Sequence, residues 1–255
     1  MPTKAQLEKA IAKLEKLRKD ASEAVVRDFD ERLLMSWIYH DNALDGSVYT
    51  AHELQVAIHD QVVSDTSLIP VYDEIRQYKN AVDFVKSMIE KKRLTLNLEL
   101  LHKIHAALDP GEDEGKGEPK YRKDMPLHRL YFHEISQPEK IENEMNEALQ
   151  WLSAPDTKRN THVLRLAAKI QFQLLHIFPY ATYSGQAARL FSNLILMRAG
   201  YPPCIIHATD RQRYYEALKT SDGALARLLG ESLYASLQSA ERFFKEQAKP
   251  GIQNA

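Results

Sequence analysis

The chain has little cysteine and no excess of charge of either sign, and both features exclude classes of protein. Cys204 is the single cysteine among 255 residues, so no internal disulfide can form. Such cysteine poverty is typical of a reducing compartment, and we expect a cytoplasmic protein. Lysine and arginine total 34 against 35 aspartates and glutamates, which gives a net charge of -1. This balance favours neither nucleic acid nor an anionic membrane surface as a partner.

Long apolar segments are also missing. No uninterrupted apolar run reaches the roughly 18 residues that a transmembrane helix needs, so we expect no membrane span. The first ten residues, MPTKAQLEKA, lack the apolar region of a secretory signal, and none is expected. The chain also lacks an internal repeat and an alternation of strand and helix patterns. The remaining balance, 44% hydrophobic and 27% charged residues, is that of an ordinary globular domain.

Helical periodicity dominates what is present. Leu7, Ile11, Leu14 and Leu17 recur at helical spacing, which predicts an amphipathic helix over residues 4–19. We expect this helix to pack either on its own domain or on a second copy in a homodimer. Capping boxes, prolines and apolar spacing predict the further helices, over residues 50–63, 70–89, 98–108, 138–152, 161–175 and 186–199, then one from an N-cap at Thr209 to a break at Gly223, and a last one ending near residue 247.

These patterns predict one main domain with short flanking segments. Residues 1–29 form the N-terminal amphipathic helix, residues 30–247 the main domain, and residues 248–255 a disordered tail. One β element is expected, because apolar and polar side chains alternate over His128–His133, as in one side of a short hairpin. The predicted architecture is therefore all-α with at most one small hairpin.

Several segments between residues 30 and 245 resemble the Fic (fido) family. AAKIQFQLLHI and RLFSNLILMRAGYPP flank a loop near residue 180, and DRQRYYEAL follows them in the family's order. Family members carry His-Pro-Phe-x-Asp-Gly-Asn-Gly-Arg-x-x-Arg in this loop. The resemblance implies an all-α Fic fold with a small β-hairpin flap. It also implies transfer of AMP, or a related group, from a nucleotide such as ATP to a hydroxyl group of a protein.

The loop of this chain, FPYATYSGQAAR over residues 178–189, aligns with the family's loop without a gap. Only Pro179, Gly185 and Arg189 match its defining residues. The substituted positions are Phe178 for the catalytic His, Thr182 for the Asp that holds Mg²⁺, Tyr183 for a Gly, Ser184 for the Asn, and Gln186 for the first Arg.

These substitutions remove a proton acceptor, a metal ligand and a positive charge from the loop. A phenylalanine accepts no proton, a threonine hydroxyl is a poorer Mg²⁺ ligand than a carboxylate, and a glutamine carries no charge. We therefore assign no catalytic residue and no metal ligand, and expect ATP and Mg²⁺ as cofactors only if the protein is active. The helix start after the loop could still bind phosphate through its backbone. The candidate nucleotide-binding residues are Ser184, Gly185, Gln186 and Arg189.

The interpretation that follows is a pseudoenzyme with a regulatory or binding role, an unidentified protein partner, and weak or no nucleotide binding. The alternative is an active protein adenylyltransferase, an AMP-removing enzyme, or a nucleotide sensor that uses ATP. A two-residue insertion in the loop would place His176 at the catalytic position. Without it, the two residues to Phe178 turn a helix by about 200°, and His176 is a half-exposed histidine at a helix end. Phe178 would then be a buried phenylalanine that fills the former site.

A segment before the main domain resembles the family's inhibitory pattern, Ser/Thr-x-x-x-Glu-Gly/Asn. Here Asp41-Asn42-Ala43-Leu44-Asp45-Gly46 has Asp41 for the Ser/Thr and Asp45 for the Glu. In the family this Glu pairs with the second Arg of the loop, so the resemblance implies that Asp45 and Gly46 are regulatory. Asp45 should then lie within about 6 Å of Arg189, where opposite charges still couple. The alternative is a plain helix-ending aspartate before a turn.

Overall fold

A computed structural model describes residues 2–61, 65–111, 120–126 and 133–248 of the chain. Eleven α-helices and no strand occur among these residues. The helices are α1 (Lys4–Asp20), α2 (Glu23–Asp45), α3 (Ala51–Ile58), α4 (Ile69–Ile89), α5 (Leu98–Leu108), α6 (Ile141–Ser153), α7 (Pro155–Asn160), α8 (Val163–Ile177), α9 (Ser184–Arg198), α10 (Arg211–Thr220) and α11 (Asp222–Gln247).

Helices α8 and α9 form the centre of the fold. They pack on each other, α11 and α6 pack on α8, and α4 and α5 pack on α9. Every residue of α9 from Ser184 to Leu196 is buried. A helix buried on all faces belongs in the middle of a helical domain, where its neighbours replace solvent. The loop between α8 and α9 is thereby placed at one end of this central pair.

Helix α1 packs on α11 of its own chain, and its apolar residues face that helix. Leu7 and Leu14 are buried there, and Lys13 pairs with Glu241 of α11 at 2.6 Å. The next helix, α2, runs from Glu23 to Asp45. The boundary expected after residue 29 therefore falls inside a continuous helix.

Most helix bounds agree with the sequence patterns, because caps and apolar spacing specify them locally. Helix α5 has the predicted bounds, and α11 ends at the predicted Gln247. Helix α3 is shorter than predicted: it ends at Ile58, and the left-handed Asp60 (φ 51°) follows. Helix α7 was not predicted.

Two predicted helix boundaries are also wrong. Thr209 is not an N-cap, since it lies inside a 3₁₀ turn, Ala208–Asp210, that leads into α10. Gly223 does not break a helix, because it lies in the first turn of α11. The break occurs at Ser221, whose hydroxyl accepts a hydrogen bond from the Ala224 N–H at 3.1 Å. A side-chain cap of this kind satisfies a free N–H of the helix start.

Two predicted segments lie wholly or largely outside the described residues. These are the hairpin expected over His128–His133, of which His133 alone is described, and the tail from residue 249 onward. The described part of the chain confirms the all-α class but contains no strand of the expected flap. Within the same ranges, no helix combines the length and the apolar composition that crossing a membrane requires.

Shortening a buried side chain of α8 should lower the free energy of unfolding. Ile170 is fully buried between α8 and its neighbours, whereas Ile69 at the start of α4 is 43% exposed. We expect Ile170→Ala to lower the free energy of unfolding by about 2–5 kcal/mol, through lost burial and the cavity left behind. The matched control, Ile69→Ala, should lower it by less than about 1 kcal/mol. Urea unfolding measures both, and equal losses would contradict the packing described.

Candidate functional site

The loop of residues 178–183 joins α8 to α9 and contains two residues in left-handed backbone conformation. Phe178 (φ 49°, ψ 65°) follows the last residue of α8, and Tyr183 (φ 51°, ψ 14°) precedes the first residue of α9. This conformation costs a non-glycine residue about 1–2 kcal/mol. Glycine, the Fic-loop residue at the position of Tyr183, adopts it without strain. Contacts around the loop must therefore stabilise it.

Arg122 and Ser184 hold the backbone of the loop. The Arg122 side chain donates through Nε to the Phe178 carbonyl at 2.7 Å, and its backbone N–H donates to the Pro179 carbonyl at 2.9 Å. The Ser184 hydroxyl accepts from the Tyr180 N–H at 2.7 Å and donates to the Tyr180 carbonyl at 2.8 Å. The Ser184 side chain is thus used inside the loop. What it can offer a ligand is its backbone N–H at the first position of α9.

The structure buries Phe178, which the alignment places at the catalytic histidine position. Its side chain is 3% exposed and carries no proton acceptor. His176 lies in the last turn of α8, partly exposed, with its ring stacked on Phe172 and its Nδ1 2.9 Å from the Phe172 carbonyl. This is the helix-end histidine that the ungapped alignment predicts. The loop itself therefore carries no imidazole.

Two side chains at the C-terminal end of α5 reach the loop, His105 within the helix and Asp109 just after it, and neither was predicted from the sequence. The His105 ring stacks on Tyr180 at 3.8 Å between centroids, and its Nε2 lies 3.1 Å from the Thr182 carbonyl oxygen. Asp109 follows the last residue of α5 and accepts a hydrogen bond from the Thr182 hydroxyl at 2.6 Å. The two residues are one helical turn apart and so lie on one face. No local pattern connects them to Thr182, because they precede it by 77 and 73 positions in the sequence.

Arg189 of α9 is clamped by two carboxylates of α2. Asp41 accepts from Nε at 2.7 Å and from Nη2 at 3.0 Å, a bidentate arrangement, and its carbonyl oxygen lies 3.1 Å from Nη2. Asp45 accepts from Nη2 at 2.6 Å. The expected proximity of Asp45 and Arg189 is therefore confirmed. Asp41, which stands at the family's Ser/Thr position, was not predicted to bond to Arg189.

Burial sets the electrostatics of this cluster. It raises the pKa of Asp41, although the nearby Arg189 guanidinium acts in the opposite direction. Burial alone would lower the pKa of Arg189, but Asp41 and Asp45 hold it well above its ordinary value. Two carboxylates thus share one guanidinium in a buried place, and the guanidinium stays charged.

Helix α10 fixes the end of α2 that carries Asp45. The Arg211 Nε and the Tyr215 hydroxyl both donate to the Leu44 carbonyl, at 2.8 and 3.0 Å, and so satisfy an acceptor at the end of α2. The Tyr215 hydroxyl also lies 3.3 Å from the Asp45 Oδ1. Gly46 ends the helix in left-handed conformation with φ 111°, which glycine adopts freely. Asp45 is therefore both the helix-ending aspartate and the partner of Arg189.

The first turn of α9 has no side chain at Gly185, and the Asp45 carboxylate lies against it. A side chain at Gly185 would place its Cβ 2.8 Å from the Asp45 Oδ2 and 3.0 Å from the Arg189 Nη1. Only glycine leaves room for both groups. Among the described residues the buried Arg189 Nη1 has no hydrogen-bond partner within bonding geometry, although the Tyr214 hydroxyl lies near the guanidinium. The side chain of Gln186, at the position of the family's first Arg, is also buried in this turn.

Loss of the Arg189 charge should destabilise the fold. The variant Arg189→Gln leaves Asp41 and Asp45 buried without a counter-charge, so we expect a loss of about 3–5 kcal/mol in the free energy of unfolding. Arg213→Gln is the control, since Arg213 is exposed and its pairs with Asp210 and Glu231 should contribute at most about 1 kcal/mol. Urea unfolding of both variants distinguishes these outcomes. Similar stabilities would show that the buried cluster does not support the fold.

Comparison with known proteins is consistent with the resemblance seen in the sequence. Residues 95–196 match the model of the Fic/DOC family. "Protein adenylyltransferase Fic" of Nematostella vectensis is 29% identical over 185 residues, which cover 72% of this chain and 42% of that protein. The protein of the same name from Drosophila ananassae is 28% identical over 206 residues, 79% of this chain and 39% of that protein. The chain spans less than half the length of these relatives.

Solved structures show the same fold. A Fic domain containing signaling protein from Bacteroides thetaiotaomicron superposes with a TM-score of 0.75 at 19% identity, covering 94% of this chain and 98% of that one. Fic-1 of C. elegans, residues 134–508, superposes with a TM-score of 0.74 at 20% identity, covering 96% of this chain and 74% of that one. The chain is therefore similar to the Fic/DOC family over residues 95–196, and its described residues have the all-α Fic fold.

Proposed function

We propose that this chain binds the phosphate groups of ATP at the first turn of α9 and uses ATP for the AMP transfer after which its relatives are named. One observation carries the binding site: the buried Arg189 Nη1 lies beside Gly185, at the start of a 15-residue helix, and no hydrogen-bond partner lies within bonding geometry of it among the described residues. Free N–H groups and the helix dipole favour an anion at such a start. An unpaired guanidinium N–H adds a charged donor to them.

The Asp45 carboxylate occupies this place in the present structure. It lies against Gly185 and bonds to Arg189, so it provides the negative charge that a phosphate would otherwise bring. Asp45 is also the last residue of α2 and is followed by Gly46, where the chain direction changes. Asp41, one turn earlier, keeps two bonds to Arg189 that do not involve Asp45. Asp45 is therefore the part of the clamp that can leave while α2 stays in place.

AMP transfer is supported by the relatives, which share 28–29% of the aligned residues and are named protein adenylyltransferases. In this reaction a hydroxyl oxygen attacks the α-phosphorus of ATP, the bond from that phosphorus to the bridging oxygen breaks, and pyrophosphate leaves. The hydroxyl proton must pass to an acceptor. Arg189 and the backbone of the first turn of α9 would hold the phosphates during the transfer.

Phe178 favours a second candidate, a protein that binds ATP without transferring AMP. The position that resembles the catalytic one holds a buried phenylalanine, and general-base assistance contributes about 10²–10⁴-fold to such reactions. Binding of the nucleotide would then change the contact between α2 and α9, and this change would be the signal. Both candidates require the same binding site and differ only in turnover.

ATP binding should depend on Asp45. We expect Asp45→Ala to raise the affinity for ATP by at least about 10-fold in calorimetric titration, because the competing carboxylate is gone. Adding Arg189→Ala to this variant should abolish the gain. The control is Asp28→Ala, whose carboxylate pairs with Arg32 of the same helix. An Asp45→Ala protein that binds no better than this control would show that the carboxylate does not occupy the phosphate site.

AMP transfer is tested with ATP labelled at the α-phosphate. We expect the Asp45→Ala protein to label itself or a lysate protein, and Arg189→Ala to remove that label, since the phosphates would no longer be held. Mass spectrometry should find a hydroxyl side chain carrying AMP. Binding of ATP without any label on protein would support the second candidate and overturn the first.

A further inference from the structure

Thr182 is the loop position at which the family's aspartate is missing, and a carboxylate of another element lies directly beside it. The Asp109 Oδ2 accepts the Thr182 hydroxyl hydrogen bond at 2.6 Å. Asp109 follows the last residue of α5 and remains partly exposed, so its carboxylate is not committed to the core. A negatively charged oxygen ligand therefore stands at the edge of the loop, although the loop itself supplies none.

His105 secures this arrangement from the same face of α5. Its Nε2 lies 3.1 Å from the Thr182 carbonyl oxygen, and its ring stacks on the buried Tyr180. Thr182 is thus contacted at its backbone by one residue of α5 and at its hydroxyl by another. Two contacts one helical turn apart fix the distance between α5 and the loop.

The donors at this place fit a divalent cation only if a ligand completes the site. Mg²⁺ prefers oxygen ligands and is commonly held by one or two carboxylates together with substrate phosphates. In the described ranges, no group of three or more His, Cys, Asp or Glu side chains could hold a metal ion alone. The Asp109 carboxylate, hydrogen-bonded by the Thr182 hydroxyl, would be the protein's ligand in such a site, and phosphate oxygens would complete it.

We propose that Asp109 supplies, from α5, the carboxylate for a divalent cation that accompanies the nucleotide phosphates, in place of the carboxylate absent at Thr182. His105 acts as a positioning residue that keeps Thr182 and Asp109 together. This inference rests on the proposed function, because the phosphates complete the site. It adds a residue of α5, outside the loop, to the group that recognises ATP.

The experiment compares ATP binding in Mg²⁺ and in EDTA by calorimetric titration, with every variant carrying Asp45→Ala. We expect Mg²⁺ to strengthen binding by about 10-fold or more, the effect of a charged ligand contact. Asp109→Asn should remove this dependence and leave the affinity in EDTA unchanged or higher. Adding Thr182→Asp to Asp109→Asn should restore the dependence on Mg²⁺, since the carboxylate returns at the loop position.

Two further variants distinguish a role of Asp109 as cation ligand from a purely structural role. Thr182→Val removes the hydrogen bond to Asp109 but keeps its carboxylate, so the dependence on Mg²⁺ should persist. If Thr182→Val loses that dependence as fully as Asp109→Asn does, the role of Asp109 is structural and the inference is wrong. Asp28→Asn is the control for removing a surface carboxylate. Mn²⁺ in place of Mg²⁺ gives a spectroscopic readout, because its electron paramagnetic resonance signal should change with ATP and Asp109 both present.

The outcomes also distinguish this inference from the proposed function. If ATP binds in neither Mg²⁺ nor EDTA, the proposed function fails and the cation site fails with it. If ATP binds equally well in both conditions, or Asp109→Asn keeps the dependence on Mg²⁺, the site at Asp109 is overturned while phosphate binding at α9 stands. Should Asp109→Asn not fold, as judged by circular dichroism, Asp109→Ser tests the same loss of charge.

Discussion

The guanidinium of Arg189 lies buried between α2 and α9, where two carboxylates rather than water balance its charge. Asp41 takes Nε and Nη2 in a bidentate arrangement, and Asp45 adds a third charged oxygen. A buried charge is costly unless it is paired and hydrogen-bonded, so the position of α2 and the charge state of α9 are coupled. The same interaction joins α2 to α9 and places the Asp45 carboxylate against the start of α9.

This coupling divides the roles of the two aspartates. Asp41 is buried within α2 and makes the bonds that hold the helices together, whereas Asp45 ends the helix and has an 11% exposed side chain. Departure of Asp45 would leave Asp41 and Arg189 as a balanced pair. Departure of Asp41 would leave a buried guanidinium with one carboxylate at its edge. Asp41 is therefore the aspartate that the packing of α2 on α9 requires, and Asp45 makes the contact that we propose a phosphate replaces.

Sequence patterns predicted the helices well and the site only in part. Caps and apolar spacing are local, which explains why α5 and the end of α11 were predicted to the residue. The start of α10 was missed because a 3₁₀ turn at Thr209 precedes it, and turns of this kind depend on tertiary contacts. The contact between Asp45 and Arg189 came from the family resemblance, not from any pattern in the chain. Their separation of 144 residues carries no local signal.

The α5 contacts show why substitutions in a loop do not by themselves describe a site. The loop keeps a left-handed residue at 183 although a tyrosine stands there, and its backbone is held by Arg122, Ser184 and His105. A backbone held from outside keeps its shape when its own side chains change. A functional group that the loop has lost can then be replaced only by side chains that already border the loop. Asp109 borders Thr182, where the carboxylate is missing.

Phe178 is itself buried, and the loop carries no imidazole to replace the missing one. Binding and proton transfer are therefore separable in the proposed function: the sites that we propose for phosphate and a cation lie around α9 and α5, whereas the loop of residues 178–183 carries no imidazole.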